Sequence, residues 1–243
     1  MRAVIFDFYG TLARFAHNHV GGYEPVFGAF GYQPEASVLE AWFSRYDGVE
    51  HAEHSVDQAA YEAWVRARLH RLVRQCGVVA ADEDALVDAL RQADNGRVVA
   101  YPEALPTLGA LRAAGLAVGV CSNWGWELDA SLADAGLLHL VDAGITSARA
   151  GSRKPHPGIY AQAVGSLGVD PAETVFVGDS WEPDVRGPRR FGMTAVHVWR
   201  AEERAGRPAP PLEPGDHRVE ELTGVLGVVG LDAPSGPCAG SPS

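Results

Sequence analysis

Short, nearly continuous apolar runs recur along this chain, and five of them read as strands: residues 3–8, 117–121, 142–145, 174–178 and 194–198. Runs such as Val4-Ile5-Phe6 and Val175-Phe176-Val177 leave no polar alternation, the pattern of strands covered on both faces. After residue 95 they alternate with helical segments. That rhythm predicts an α/β fold built on a doubly wound parallel sheet.

The rhythm breaks once. Between Leu12 and about Asn95 there is no convincing strand, whereas residues 39–46 and 59–73 carry apolar residues at helical spacing, with Trp42, Phe43, Trp64 and Leu69 as contact residues. A connection of that length is too long for a plain loop and has enough apolar surface to fold by itself. We therefore expect a core of residues 1–13 and 96–230 interrupted by a helical lobe over 14–95. Residues 200–207 and 208–214 read as a solvated surface loop, and the Pro/Gly/Ser-rich segment 231–243 as a disordered tail.

Composition narrows the class. With 47% hydrophobic and 21% charged residues over 243 positions, the chain can bury a substantial core. Its formal charge of −11 comes without a Lys/Arg-rich face, so nucleic acid is not expected as a partner. No apolar run reaches membrane-spanning length, and Met1-Arg2 leads directly into a strand. A cytoplasmic protein without membrane association is expected, as monomer or homodimer. Cys76, Cys121 and Cys238 are odd in number and widely spaced, which argues against a disulfide framework or a cysteine zinc site.

The candidate chemistry lies at strand ends. Val4-Ile5-Phe6-Asp7-Phe8-Tyr9-Gly10-Thr11 delivers one carboxylate into a Gly-Thr turn, and Val118-Gly119-Val120-Cys121-Ser122-Asn123 ends in a hydroxyl and an amide. Ser152-Arg153-Lys154-Pro155 places a lysine at the mouth of a helix that begins near Gly158. Thr174-Val175-Phe176-Val177-Gly178-Asp179 continues to Asp184, two carboxylates five positions apart. An aspartate can attack phosphorus when developing charge is neutralised and the groups are aligned. Mg²⁺, which prefers a few carboxylate oxygens and keeps room for water and phosphate, suits such a cluster.

In order and spacing these four segments resemble the motifs of the haloacid dehalogenase superfamily over roughly residues 1–200. The resemblance implies a Rossmann-like α/β core with an inserted α-helical cap of the C1 type, and Mg²⁺-dependent hydrolysis of a small phosphorylated metabolite. It implies Asp7 as nucleophile, Asp179, Asp184 and the backbone carbonyl of Tyr9 as further metal ligands, and Lys154 as the balancing cation. Thr11, Ser122 and Asn123 would bind the substrate, with Ser122 and the backbone N–H groups near Asn123 on the phosphate oxygens.

One position departs from the family's phosphatases. They usually carry a second aspartate two residues after the nucleophile, and here that residue is Tyr9. A tyrosine with pKa near 10 can donate a proton to a leaving group but is a poor base at neutral pH. His17, His19 and Glu24 are the nearest substitutes along the chain. Asp-x-Tyr-Gly-Thr is also similar to the 2-haloacid dehalogenases of the superfamily, which need no metal; those typically have Ser-Asn where this chain has Gly178-Asp179. Three clustered carboxylates without a cation would repel one another, so the retained acids favour a metal and phosphoryl transfer. Dehalogenation and metal or phosphate binding without turnover stand as alternatives.

Overall fold

The computed structural model describes residues 1–16, 22–44, 48–94, 96–200, 206 and 208–232. In chain order the strands are β1 (Ala3–Phe6), β2 (Ala13–Phe15), β3 (Val98–Ala100), β4 (Ala117–Ser122), β5 (Ala143–Thr146), β6 (Thr174–Gly178), β7 (Thr194–Val198) and β8 (His217–Val219). The helices are α1 (Glu24–Ala29), α2 (Ala36–Ser44), α3 (Gln58–Gln75), α4 (Glu83–Asp94), α5 (Ala104–Ala113), α6 (Leu128–Asp134), α7 (Ser147–Ala150), α8 (Pro157–Leu167), α9 (Gly187–Arg190) and α10 (Gly224–Val228). No helix among the described residues is long and apolar enough to cross a membrane.

Six strands form one parallel sheet in the order β5-β4-β1-β6-β7-β8. Successive side chains of a strand point to opposite faces, and β1 shows the consequence. Val4 and Phe6 join the core that contains Leu108 and Leu111 of α5, while Ile5 joins Ile159, Tyr160 and Ala163 of α8 on the other side. The five expected strands are all present, with β1 ending two residues earlier than expected. The doubly wound α/β reading therefore describes the observed fold.

The chain leaves β1 and returns first as β4 on one side, later as β6 on the other. In such sheets the crevice at the carboxyl ends of the strands flanking this reversal is where ligands bind. Asp7, Asn123 and Asp179 are the residues that follow β1, β4 and β6 there.

Between β2 and β3 lie α1 to α4, packed around their own core of Phe27, Leu39, Trp42, Leu69, Leu72, Leu86 and Leu90. Trp42 and Leu69 are contact residues as expected. Trp64 is not in that cluster; its ring lies 5.6 Å from His51 and 4.9 Å from His54. Phe43's side chain and Tyr46 lie outside the described residues. Ala13–Phe15 pairs antiparallel with Val98–Ala100, a two-stranded neck at the ends of the insertion where no strand was expected. Each strand is three residues long, too short for a period to show. The same holds for β8, whose His-Arg-Val sequence has no apolar run. The insertion also reaches the lysine loop: the His51 N–H donates to the Gly151 carbonyl at 2.6 Å and the Arg153 N–H to the Val49 carbonyl at 3.0 Å.

Candidate active site

β1 hands its ladder on to the Asp7 N–H, which donates to the Val177 carbonyl at 2.8 Å. The following turn closes when Leu12 and Ala13 N–H groups both reach the Phe8 carbonyl, at 2.9 and 3.0 Å. Gly10 sits in this turn at φ +84°, and a Cβ there would lie 2.8 Å from the carboxyl carbon of Asp179. Glycine is thus required twice, for the left-handed backbone and for the approach of the acid.

The Asp7 carboxylate is buried and held by two donors that converge on Oδ1: Ser122 Oγ at 2.8 Å and Lys154 Nζ at 2.7 Å. Lys154, only 2% exposed, also reaches Asp184 Oδ1 at 2.6 Å. The Ser180 N–H donates to Asp184 Oδ2 at 2.9 Å. Each of Asp7, Asp179 and Asp184 offers a carboxylate oxygen, and these three atoms lie within 4.8 Å of one another. Burial by itself would push the Lys154 ammonium down, but Asp184 and Asp7 outweigh it and hold the pKa above the ordinary lysine value. For Asp184, burial raises the pKa first, Lys154 opposes it, and Asp7 and Asp179 add to it, leaving the carboxyl above the ordinary aspartate range.

Three carboxylates therefore face one ammonium. This excess of hard anionic oxygen suits a divalent cation such as Mg²⁺, which carries the charge that the single lysine does not.

The side-chain amide of Asn123 is turned to the lysine loop. Its Oδ1 accepts from the Lys154 N–H at 2.7 Å and its Nδ2 donates to the Lys154 carbonyl at 3.0 Å. The amide brackets the backbone of one residue, through its N–H and its carbonyl, and so positions the lysine. Thr11 is fully buried, and its hydroxyl has no hydrogen-bond partner among the described residues. The Tyr9 residue is 43% exposed, with its ring 4.8 Å from Phe15 and 6.3 Å from Trp124. Glu24 is exposed at the start of α1; His17 and His19 lie outside the described residues.

Arg200 overturns one expectation. It was assigned to a solvated loop, yet its side chain is 11% exposed and clamps the turn after Asp7. Nη1 donates to the Gly10 carbonyl at 2.8 Å, and Nη2 to the Thr11 carbonyl at 3.1 Å and Glu103 Oε1 at 2.7 Å. The guanidinium lies 3.7 Å from the centre of the Tyr101 ring. The segment directly after β7 passes beside the β1 turn, a neighbour 190 residues away that no local pattern announces. His197 was missed for the same reason. Its Nε2 lies 3.1 Å from the Asp179 carbonyl; a carbonyl only accepts, so that nitrogen carries the proton. Its Nδ1 faces Arg218 Nε at 3.4 Å.

Between insertion and core lies a cavity of about 970 Å³ bounded by Phe15, Tyr61, Arg68, Asn123, Trp124 and Trp126, among others. The two tryptophans follow Asn123 in the run Asn123-Trp124-Gly125-Trp126, which was readable as an aromatic pair beside the second motif.

Known proteins resemble this chain along most of its length. A family model described as haloacid dehalogenase-like hydrolase matches residues 1–192. Phosphoserine phosphatase of Thermus thermophilus is 33% identical over 196 residues, 78% of this chain and 74% of that protein. (S)-2-haloacid dehalogenase of Xanthobacter autotrophicus is 33% identical over 221 residues, 84% of this chain and 78% of that one. The solved structure of L-2-haloacid dehalogenase from Xanthobacter autotrophicus superposes with a TM-score of 0.60 at 29% identity, covering 94% of this chain and 98% of that one.

Proposed function

The chain belongs to the haloacid dehalogenase-like hydrolases, and on that premise we propose that it is a Mg²⁺-dependent phosphohydrolase acting on a small phosphorylated metabolite. The observation that carries this reading is the meeting of Asp7, Asp179 and Asp184 within 4.8 Å around one buried lysine. Similarity to phosphoserine phosphatase supports it.

In this reading Asp7 is the nucleophile. Ser122 and Lys154 fix its carboxylate through Oδ1, which leaves Oδ2 to attack phosphorus. The Asp7–phosphorus bond forms, the ester P–O bond breaks, and the leaving alkoxide takes a proton. Tyr9, two residues on, is the group we assign to supply it. Water then attacks the aspartyl-phosphate, its proton passing to the Tyr9 phenolate left by the first step, and the Asp7–phosphorus bond breaks to free the carboxylate and inorganic phosphate. Lys154 moderates the negative charge near the transferring group. Asp7, Asp179, Asp184 and the Tyr9 carbonyl would hold Mg²⁺, which would supply charge neutralisation and orientation of the phosphate. The helical insertion over residues 14–95 serves as the cap, screening the site from water.

A second reading has its own support. Tyr9 stands where phosphatases carry an acid, and the chain is as similar to a 2-haloacid dehalogenase as to a phosphatase. Phosphate release from a panel of esters, with Mg²⁺ or with EDTA, on wild type and Asp7→Asn separates the two. Release that requires both the ion and Asp7 establishes the phosphohydrolase. Halide release from a 2-haloacid in the presence of chelator, with no phosphate from any ester, replaces it.

A further inference from the structure

We infer that the cavity beside Asn123 is a binding site for a planar aromatic group, the body of the phosphorylated substrate. This inference rests on the phosphohydrolase reading for the identity of the phosphate end. The aromatic wall begins at the nucleophile's own loop. The Trp124 ring lies 5.2 Å from Phe8 at 82° and 6.4 Å from Phe15. Across the cavity, Tyr61 of α3 comes within 6.1 Å of Trp126. Core and insertion thus both contribute rings to one lining, and that lining is continuous with the catalytic turn.

Three features set these rings apart from ordinary core. Phe8 is fully buried, whereas Trp124, Trp126, Tyr61 and Phe15 are only partly so, and all four border the cavity. The Trp124 indole N–H is already used, donating to Ser131 Oγ at 3.3 Å, so what the ring offers a ligand is its face. The Trp126 backbone is fixed through its carbonyl, which accepts from Arg149 Nε at 2.8 Å. A pre-formed aromatic surface of this kind binds flat rings at small entropic cost.

Two of the four arginines in the lining are already engaged. Arg91 is paired with Glu62, and Arg68 lies 3.8 Å over the Trp42 ring and donates to the Trp42 carbonyl at 3.1 Å. Four arginines face three carboxylates around the cavity. Its volume of about 970 Å³ stands at the upper end of the roughly 300–1,000 Å³ range of small-molecule pockets. An uncharged ring system on the phosphate fits this lining, and a bare phosphate ester of a few atoms leaves it unfilled.

The test uses non-hydrolysable phosphonates titrated calorimetrically into the full chain with Mg²⁺: 2-naphthylmethyl-, cyclohexylmethyl- and methylphosphonate. The naphthyl compound is expected to bind about 10-fold or more tightly than the other two. In Trp126→Ala and in Tyr61→Ala, each checked for a native melting transition, that ratio should fall toward one. Equal binding of naphthyl and cyclohexyl compounds overturns the inference, as does a preference that neither variant reduces, and so does absence of binding by all three. Phosphate release is measured separately on the matching esters. Aromatic preference without phosphate release keeps the ring site and removes the hydrolase, whereas release without preference does the reverse.

Discussion

Gly178→Ala is the substitution that most directly tests how the acidic cluster is assembled. Gly178 ends β6, and a Cβ there would lie 2.3 Å from Asp184 Cβ, 2.4 Å from its carboxyl carbon and 2.5 Å from Oδ2. Restoring ordinary carbon contact of about 3.5 Å moves Asp184 back by about 1 Å. Asp184 has no slack for that movement, because it is buried and tied to Lys154 Nζ at 2.6 Å and to the Ser180 N–H at 2.9 Å. Overpacking costs about 1–3 kcal/mol, and stretching a charge-assisted hydrogen bond out of range a further 1.5–3 or so. At about 2–4 °C per kcal/mol for a chain of this size, Tm should fall by roughly 5–24 °C. The stabilisation by Mg²⁺, read as the rise in Tm on adding the ion, should shrink as well. The control is Gly165→Ala in α8, where a Cβ meets open space and the expected gain is about 0.5–1 kcal/mol. A Gly178→Ala protein that melts within 2 °C or so of wild type and responds to Mg²⁺ equally would refute the idea that this close contact places Asp184.

Removing the Arg200 clamp in Arg200→Ala strands the Glu103 carboxylate, 15% exposed, and two turn carbonyls. We expect a loss of about 2–4 kcal/mol in urea unfolding and a lower kcat at similar KM, with little recovery in Arg200→Lys, which lacks the fork. His51 is held below its ordinary pKa by burial and by Arg153. The folded chain keeps it neutral while the unfolded chain protonates near 6.5, so its contribution to stability is present above that pH and lost as pH falls through it. Urea midpoints between pH 7 and 5 should therefore decline less steeply in His51→Gln than in wild type. Burial pushes the Cys121 thiol up to about 12, so iodoacetamide at pH 8 should leave Cys121 unmodified in the folded protein and label it in urea, as peptide mapping will read.

The parallel sheet was legible because strands covered on both faces must be apolar throughout, and runs such as Ala3–Phe6 and Thr174–Gly178 carry little else. Strand ends then pointed to Asp7, Ser122 and Asp179, since a polar group directly after such a run emerges at the carboxyl edge. Helical spacing pointed to Trp42 and Leu69 as contact residues, and both lie in the cluster that α1 to α4 bury. The neck of the insertion was not legible, because Ala13–Phe15 and Val98–Ala100 are each too short to show a period and become strands only by pairing with one another.

What the chain could not announce locally is whatever depends on distant neighbours. For Asn123, only the fold shows both ends of its side-chain amide committed to the backbone N–H and carbonyl of Lys154. Arg200 looked like part of a solvated loop until the strand order placed it against the β1 turn. Residue types and their positions after apolar runs thus determined the sheet and the set of acids by themselves. The close approach of Gly178 to Asp184, the Arg200 clamp and the aromatic wall were decided only by tertiary structure, because hydrogen bonds and steric contacts between residues far apart in sequence exist only once the sheet brings them together.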